Sequence, residues 1–383
     1  MNGIKVERLG VEHYDQIINL LNEVFTRHNG SVMDMEKALP KMAQRTQEAM
    51  CKHFGIFDNE RLVACLGVYP FMTKIAGEEL LFSTTGNVVV HWDYEGRGYM
   101  GAMLDRAMQE NADLGVAVSR LGGLRSRYNR YGFEECGQVY RFNFTEKNRL
   151  RKLSDFLDEI KIEEIDKDNL DALEFTIKLN NGNGICVPRT IENAYATCTA
   201  WQNIPYLATK NNKPMGYFCA QKSGGNIAEI FALDCVSLAE IVCAIQKQRG
   251  CTVTFNLQPH QVDEVRLFSS VCESLSTYSP SRFCVLNWEK TIGALMRLKA
   301  KKTTMQKGEL RIRIEEYGTV KLSVTDSEIT CEKSDEKPDI ILDRLSATRY
   351  IFGPLSPLFT ADASPLAQSW FPLPLSWNGQ DRV

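Results

Sequence analysis

The sequence predicts an α/β (α+β) protein of two or three domains. Val88, Val89 and Val90 form a β-branched run typical of a buried strand, and helical periodicity follows over residues 99–108. Other strand-like and helix-like segments alternate along the chain. With 383 residues, 44% of them hydrophobic, the chain is long enough to build more than one core.

The first domain is expected to cover residues 1–146. It ends where an alternating strand over residues 139–144 gives way to the charged stretch TEKNRLRK. The earlier elements are, in order, an apolar start at Ile4-Lys5-Val6, an amphipathic helix over 12–25, strands over 54–57 and 62–69, the valine strand and the helix over 99–108.

A glycine turn, Gly96-Arg97-Gly98, connects the valine strand to the following helix. The first N–H groups of a helix lack intrahelical partners and the helix dipole adds positive charge, so this arrangement can bind an anion. The turn matches neither the P-loop nor the Gly-x-Gly-x-x-Gly fingerprint. It predicts a phosphorylated ligand, and the alternative is a tight connection that needs a positive φ.

The second domain is expected at residues 147–284. Its predicted elements are strands over 205–209, 216–221, 226–232 and 251–257, with a helix over 237–248. This order resembles that of the first domain, but no phosphate-binding turn recurs. The alternative is an unrelated α/β domain.

The third domain is expected at residues 285–383, as an antiparallel sheet with flanking helices. Its predicted elements are a helix over 288–299, strands over 310–314, 319–324, 328–331 and 339–342, and a helix over 346–352. The last segment, from Ser364, is rich in proline, tryptophan and leucine, and Pro372 and Pro374 are expected to exclude a helix there. This tail should therefore pack extended against another domain.

Composition argues against several classes of function. A net charge of −3 and a pI near 6.1 do not suit a nucleic-acid-binding protein. The 12 cysteines form no Cys-x-x-Cys pair and the five histidines are scattered, so no metal site is expected. Without an apolar leader or a membrane-spanning run, the chain is expected in the reducing cytoplasm, with no membrane partner.

Two motifs resemble those of the GNAT superfamily of N-acetyltransferases. The valine strand followed by Arg-Gly-x-x-x-Ala-x-Leu resembles motif A, and the stretch from Tyr128 to Phe133 resembles the segment Tyr-x-x-x-Gly-Phe. Glu95 departs from the usual Gln or Arg, and Met100 from the usual small residue. A bulky residue at that place, and the order of three domains, resemble the enhanced intracellular survival (Eis) family.

That resemblance implies a catalytic GNAT domain, a second, degenerate GNAT-like domain and a sterol-carrier-protein-like domain. It also implies transfer of an acetyl group from acetyl-CoA to a primary amine of a small molecule or peptide, in a homo-oligomer that is commonly a hexamer. The backbone of the three valines would hold the pantetheine. The pyrophosphate would meet the segment Glu95, Gly96, Arg97, Gly98, Tyr99 and Met100, where Arg97 could offset the charge of Glu95.

The resemblance further assigns the general acid to Tyr128 and the general base to the α-carboxylate of Val383. A free terminal carboxylate has a pKa of about 3.5, which burial would raise. The alternatives are that Tyr128 is a buried structural residue and that His91, just past the valine strand, is the base.

The acceptor pocket is expected near Phe25 and Arg27, with Arg382 next to the terminus. Two arginines would repel a polyamine, which favours a less cationic, carboxylated amine. Two competing functions are a lipid- or sterol-binding module and a non-catalytic coenzyme A-binding scaffold.

Overall fold

The computed structural model describes residues 4–153 and 159–381. The described strands are β1 Glu7–Arg8, β2 His53–Asp58, β3 Arg61–Ile75, β4 Glu78–Val90, β5 Val118–Leu121, β6 Glu134–Cys136, β7 Val139–Phe144, β8 Lys161–Glu164, β9 Ile185–Cys186, β10 Ile204–Lys210, β11 Lys213–Ala220, β12 Ile227–Ala232, β13 Val253–Leu257, β14 Ser274–Tyr278, β15 Ser281–Val285, β16 Gly308–Ile314, β17 Gly318–Val324, β18 Ile329–Ser334 and β19 Ile340–Leu342.

The helices of the same ranges surround these strands. They are α1 Tyr14–Asn29, α2 Met35–Ala38, α3 Gln47–Met50, α4 Tyr99–Asp113, α5 Arg125–Tyr128, α6 Glu146–Lys152, α7 Leu170–Asn181, α8 Ile191–Cys198, α9 Cys235–Arg249, α10 Val262–Val271, α11 Trp288–Ala300, α12 Arg344–Phe352, α13 Ser356–Phe359 and α14 Pro365–Trp370. In the part of the chain that the structure describes, no helix is long and apolar enough to cross a membrane.

The first sheet has the strand order β1-β2-β3-β4-β5-β15-β6, with β9 paired to β3. Its neighbours are antiparallel except β4 and β5, which run parallel and are connected through α4. Helix α1 packs on one face and α4 on the other. The predicted helices and strands are present here, and a short strand at Glu7–Arg8, which was not predicted, precedes them.

The second domain contains two sheets, ordered β12-β11-β10-β8 and β13-β7-β14. Strand β12, helix α9 and strand β13 repeat the order of β4, α4 and β5. Between β12 and β13 the described residues show a single parallel bridge, from Asn226 to Thr254. The two strands therefore leave a gap between the sheets.

Each of the first two domains contributes a strand to the other. Strand β7 lies between β13 and β14, although it precedes residue 146 in the sequence. Strand β15 lies between β5 and β6, although it comes after most of the second domain. Boundaries at residues 146 and 284 therefore divide the sequence but not the sheets.

The sheet of the third domain has the order β18-β17-β16-β19. The expectation of a wholly antiparallel sheet was wrong at its last strand, because β19 runs parallel to β16. The chain crosses from β18 to the opposite edge, where a carboxylate oxygen of Asp339 accepts the N–H of Arg311 at 2.7 Å.

The expectation of an extended tail from Ser364 was wrong for residues 365–370, which form α14, because a proline is tolerated at the first position of a helix. After α14 the tail packs extended across the molecule. Its apolar side chains are buried, namely Phe371, Leu373, Leu375 and Trp377. The ring of Trp377 lies 4.9 Å from Phe71 and 5.8 Å from Phe82, on the face of the first sheet opposite α4. The tail thereby reaches the first sheet.

Candidate functional site

A cleft opens between β4 and β5. The two strands pair only from Phe82 with Val118 to Thr85 with Leu121. Residues 86–90 continue β4 against β3, but in the described part of the chain β5 contributes no pair to them. A ligand placed in this gap can hydrogen-bond to the exposed backbone of β4.

A bulge in β4 shapes the wall of the cleft. The register with β3 shifts between Cys65 and Gly67, and Asn87 takes a φ of +53°. Such a bulge turns peptide groups away from the regular ladder. Since the strands separate at the same place, the bulged backbone lies beside the gap between β4 and β5.

A buried chain of hydrogen bonds holds this bulge. The Asn87 side-chain amide donates to Tyr69 Oη at 2.6 Å, and Tyr69 Oη lies 2.8 Å from His53 Nε2. His53 Nδ1 lies 3.2 Å from the Met50 carbonyl, so this nitrogen carries the hydrogen and Tyr69 donates to Nε2. Nothing in the sequence had suggested this set of residues.

The turn after β4 leads into a helix start that has no side-chain cap. Gly96 and Gly98 have φ of +76° and +82°, values that favour glycine. Gly98 caps α4 without a side-chain hydrogen bond, so the first N–H groups of the helix are not occupied by a side chain. A Cβ built on Gly96 would meet no atom within 4 Å, which leaves space above the turn.

The other predicted coenzyme residues surround this turn. Val88, Val90, Tyr99 and Met100 are partly buried on the α4 side of the sheet, whereas Val89 faces the α1 side. The Glu95 and Arg97 side chains are both exposed. The Arg97 guanidinium donates to the Asp93 carbonyl at 3.1 Å and lies over the ring of Tyr94.

Tyr128 ends α5 on the same side of the sheet as α4. It is 5% exposed and packs with Leu121 and Phe133. Burial raises the pKa of Tyr128, so the phenol keeps its proton at neutral pH. Its ring lies close over Gly123, where a Cβ would approach Cε2 to 2.8 Å. The structure therefore supplies a protonated donor beside the end of β5.

Cationic groups approach the base of the cleft from the α1 side. Arg120 on β5 lies opposite Thr84, and its Cζ is 5.4 Å from the ring of Trp377. Lys41 Nζ donates to the Gln380 carbonyl at 3.3 Å, and burial lowers the pKa of Lys41 to about 8. Sequence reasoning missed both residues, since neither belongs to a motif.

The predicted acceptor residues lie on this α1 side as well. Phe25 packs at the edge of the α1 cluster, and the Arg27 guanidinium stacks on Trp92 at 4.4 Å. Trp92 stacks in turn on His91, whose Nε2 accepts from Arg61 at 2.8 Å. With that lone pair engaged, His91 is poorly placed to act as a base. Arg382 and Val383 lie outside the described residues.

A buried ion-pair network receives the end of the tail in the second domain. Arg189 binds both carboxylate oxygens of Glu229, at 2.6 and 2.7 Å, and also contacts Asp381 at 3.2 Å. These three side chains are at most 5% exposed. They lie far apart in the sequence, which explains why no local pattern pointed to them.

Comparison with known proteins agrees with this geometry. Residues 5–136 match the family model described as "Acetyltransferase (GNAT) domain". That range contains the cleft, the glycine turn and Tyr128. No curated protein sequence matches the chain.

Several solved structures share the fold over nearly the whole chain. A GCN5-related N-acetyltransferase from Kribbella flavida is 18% identical and has a TM-score of 0.68, covering 96% of this chain and 97% of its own. One from Anabaena variabilis is 16% identical, with a TM-score of 0.66 and 98% coverage of both chains. Eis1 from Mycobacterium abscessus is 13% identical, with a TM-score of 0.64 and the same coverage.

The class of the protein follows from the domain match and the cleft. The chain is an acyltransferase with a GNAT-like mixed α/β fold. Its donor is an acyl-coenzyme A and its acceptor is an amine.

Proposed function

We propose that the protein transfers an acetyl group from acetyl-CoA to a primary amine of a small molecule or peptide. One observation carries the proposal: the end of β4, which β5 leaves unpaired, leads through the glycine turn into a helix start with no side-chain cap, so a thioester and a pyrophosphate find donors near each other. A scaffold that binds coenzyme A without turnover would not need the protonated Tyr128 beside the cleft.

The donor is held mainly by backbone groups in this proposal. Amides of Val88, Val89 and Val90 bind the pantetheine arm and the thioester carbonyl. The segment 95–100 binds the pyrophosphate through the N–H groups that begin α4. Because Glu95 is exposed, its side chain can turn toward solvent. Arg97 can leave the Asp93 carbonyl to pair with a phosphate.

Two groups of the chain move protons. The α-carboxylate of Val383 accepts a proton from the amine as it attacks, and Tyr128 donates a proton to the leaving sulfur. Tyr128 retains its proton at neutral pH because burial opposes ionisation. Asp381, fixed beside Arg189, brings the end of the tail close to Lys41.

The acceptor is proposed to be an amine of low positive charge that carries a carboxylate. Lys41 and Arg120 approach the base of the cleft, and repulsion from them disfavours a polycation. Arg27 contributes less to this repulsion than its position in the sequence suggested, since its guanidinium is stacked on Trp92. Arg382 remains a proposed acceptor residue.

We propose an Eis-like organisation for the whole chain. The second domain is a GNAT-like copy that does not bind coenzyme A, and the third is sterol-carrier-protein-like. The competing lipid-binding function finds little support, because apolar residues of the tail are buried against protein rather than lining an open tunnel.

The decisive assay incubates the protein with acetyl-CoA and a panel of polycationic, neutral and carboxylated amines, and follows release of the free thiol. We expect turnover with at least one amine, and carboxylated amines to be preferred. Absence of thiol release with every amine would contradict the proposed activity. Efficient turnover of an aminoglycoside, and of no other amine, would contradict the proposed acceptor class.

The terminal base is tested by adding residues after Val383, which converts its carboxylate to an amide. We expect turnover to fall by about 100-fold or more, within the range for loss of an acid or base, with coenzyme affinity unchanged. A fully active extended protein would exclude the terminal carboxylate as base.

We also infer a cytoplasmic homo-oligomer, with a hexamer as the expected form. The cysteines that the structure describes are all free thiols, which supports the proposed location in the reducing cytoplasm. Light scattering of the purified protein tests the assembly, and a monomer at micromolar concentration would contradict it.

A further inference from the structure

The gap between β12 and β13 in the second domain corresponds to the coenzyme cleft of the first. In both domains two parallel strands separate after a short contact, and the helix between them starts at the opening. The helix starts differ chemically. Gly98 begins α4 without a side-chain cap, whereas a carboxylate oxygen of Asp234 accepts the N–H of Ser237 at 2.7 Å at the start of α9.

This difference excludes a phosphate from the second helix start. The Asp234 carboxylate already occupies the place where helix N–H groups would meet an anion, and its charge would repel a pyrophosphate. The gap is therefore open to another occupant.

The chain's own tail lies at this gap. Ser376 Oγ contacts Gln258 Oε1, just past β13, at 3.2 Å, and the Asn378 amide donates to Glu229 on β12. The pocket left between the two strands and the tail has a volume of only about 40 Å³, enough for a few waters. The tail thus fills the gap.

The next residues of the tail, Gln380 and Asp381, have buried hydrogen-bond partners in the second domain. Gln380 donates to the Cys198 carbonyl at 2.7 Å at the end of α8, and its amide oxygen accepts from Asn203 at 3.1 Å. Gln380 is 1% exposed. Asp381 closes the set by pairing with Arg189, which Glu229 holds in place with two hydrogen bonds.

We propose that the β12–β13 gap and the Arg189–Glu229 pair form a socket that positions the tail, so that the second domain serves the reaction by fixing the terminal carboxylate of the chain. The inference rests on the proposed function for its catalytic part. Gln380, Asp381 and Arg189 are positioning residues here, since they act through the terminus and not on the acetyl group.

The test uses the full-length protein with Gln380→Met, which keeps side-chain length and removes both hydrogen-bonding functions. Asp381→Asn serves as a milder second variant. The matched control is Gln246→Met, which replaces another buried glutamine of the second domain, on α9 and away from the tail. Hydrogen exchange of residues 376–381 is measured beside kcat and KM for acetyl-CoA.

In Gln380→Met we expect faster exchange over residues 376–381 and a kcat lowered by about tenfold or more, because misplacing a reacting group is costly. KM for acetyl-CoA should stay within about twofold, since the donor cleft is untouched. The control should keep the exchange and kcat of the original protein, and Asp381→Asn should change both in the direction of Gln380→Met.

Exchange and kcat unchanged in both tail variants would overturn the inference, as would an equal loss of kcat in the control. If the unaltered protein released no thiol with any amine, the proposed function would fail. The exchange measurement would then decide separately whether the socket holds the tail.

Discussion

At the scale of single residues, burial fixes the protonation of the groups around the cleft. Tyr69 has a pKa raised well above the usual value because it is desolvated, and burial lowers the pKa of His53 to about 4. Both are therefore neutral at physiological pH, and the hydrogen bonds from Asn87 to Met50 join uncharged groups that support the bulge. Tyr128 differs because it lies at the cleft itself.

Replacement of Tyr128 by Phe removes the proposed proton donor and keeps the ring over Gly123. We expect kcat to fall by about 100-fold while the dissociation constant of coenzyme A changes little. Steady-state kinetics and calorimetry with coenzyme A measure the two quantities. A weaker affinity with unchanged kcat would show that Tyr128 is a packing residue.

His53 predicts a sensitivity of stability to acid. Its folded pKa of about 4 lies below the ordinary value of about 6.5, so between these pH values the unfolded chain binds a proton that the folded chain does not. Stability is therefore lost as the pH falls from about 6.5 to about 4, by up to about 3 kcal/mol for this group. Burial predicts the same for His260.

Between pH 6.5 and pH 4.5, we expect the unfolding temperature of the His53→Gln variant to fall less than that of the unaltered protein. Replacing the exposed His28 in the same way should leave the pH dependence unchanged. Calorimetric melting curves at the two pH values provide the comparison. An identical drop in the His53 variant would contradict the assignment.

At the scale of elements, the two strand–helix–strand units differ in how their helices begin. The glycine turn before α4 was predictable because glycine adopts the positive φ that such a turn requires. Asp234 could also be identified from sequence as a helix cap. Whether that cap blocks an anion site depends on the strands around it. Only the structure shows that β12 and β13 separate at that helix.

Gly96 should be sensitive to substitution for a functional reason. Gly96→Ala adds about 1 kcal/mol of backbone strain at positive φ and should distort the amides that are proposed to bind the pyrophosphate. Gly77, in the turn between β3 and β4, has a φ of +99° and the same open space, so Gly77→Ala is the matched control.

We expect Gly96→Ala to weaken coenzyme A binding by about fivefold or more, consistent with the loss of one or more phosphate contacts. Gly77→Ala should lower the unfolding temperature similarly and leave binding unchanged. Calorimetry with coenzyme A distinguishes them. Equal affinities in the two variants would mean that the turn before α4 is only a connection.

At the scale of the whole molecule, the sequence predicted local elements better than their pairing. The strands that were predicted in the second and third domains lie within a few residues of their expected places, because alternation and turn residues are local signals, whereas β8, β9 and β14 were not predicted. The placement of β7 in a sheet of the second domain and of β15 in the first sheet was not predicted. Pairing between strands that are distant in sequence produces no periodic pattern in the sequence. The ion pair between Arg189 and Asp381 was missed for the same reason.

The filled gap of the second domain predicts one coenzyme per chain. Titration calorimetry of the full-length protein with coenzyme A should give a stoichiometry near one, because Asp234 and the tail occupy the second position. Two equivalent sites per chain would contradict this account of the second domain.

Strand β15 also has a consequence for synthesis of the protein. It inserts between β5 and β6, yet the ribosome completes it more than 150 residues after β5. At roughly 5–20 residues per second, β5 and β6 wait on the order of ten seconds for the strand that joins them. During that interval their unpaired edges are open to other chains, so the nascent protein should depend on chaperones more than its finished form suggests.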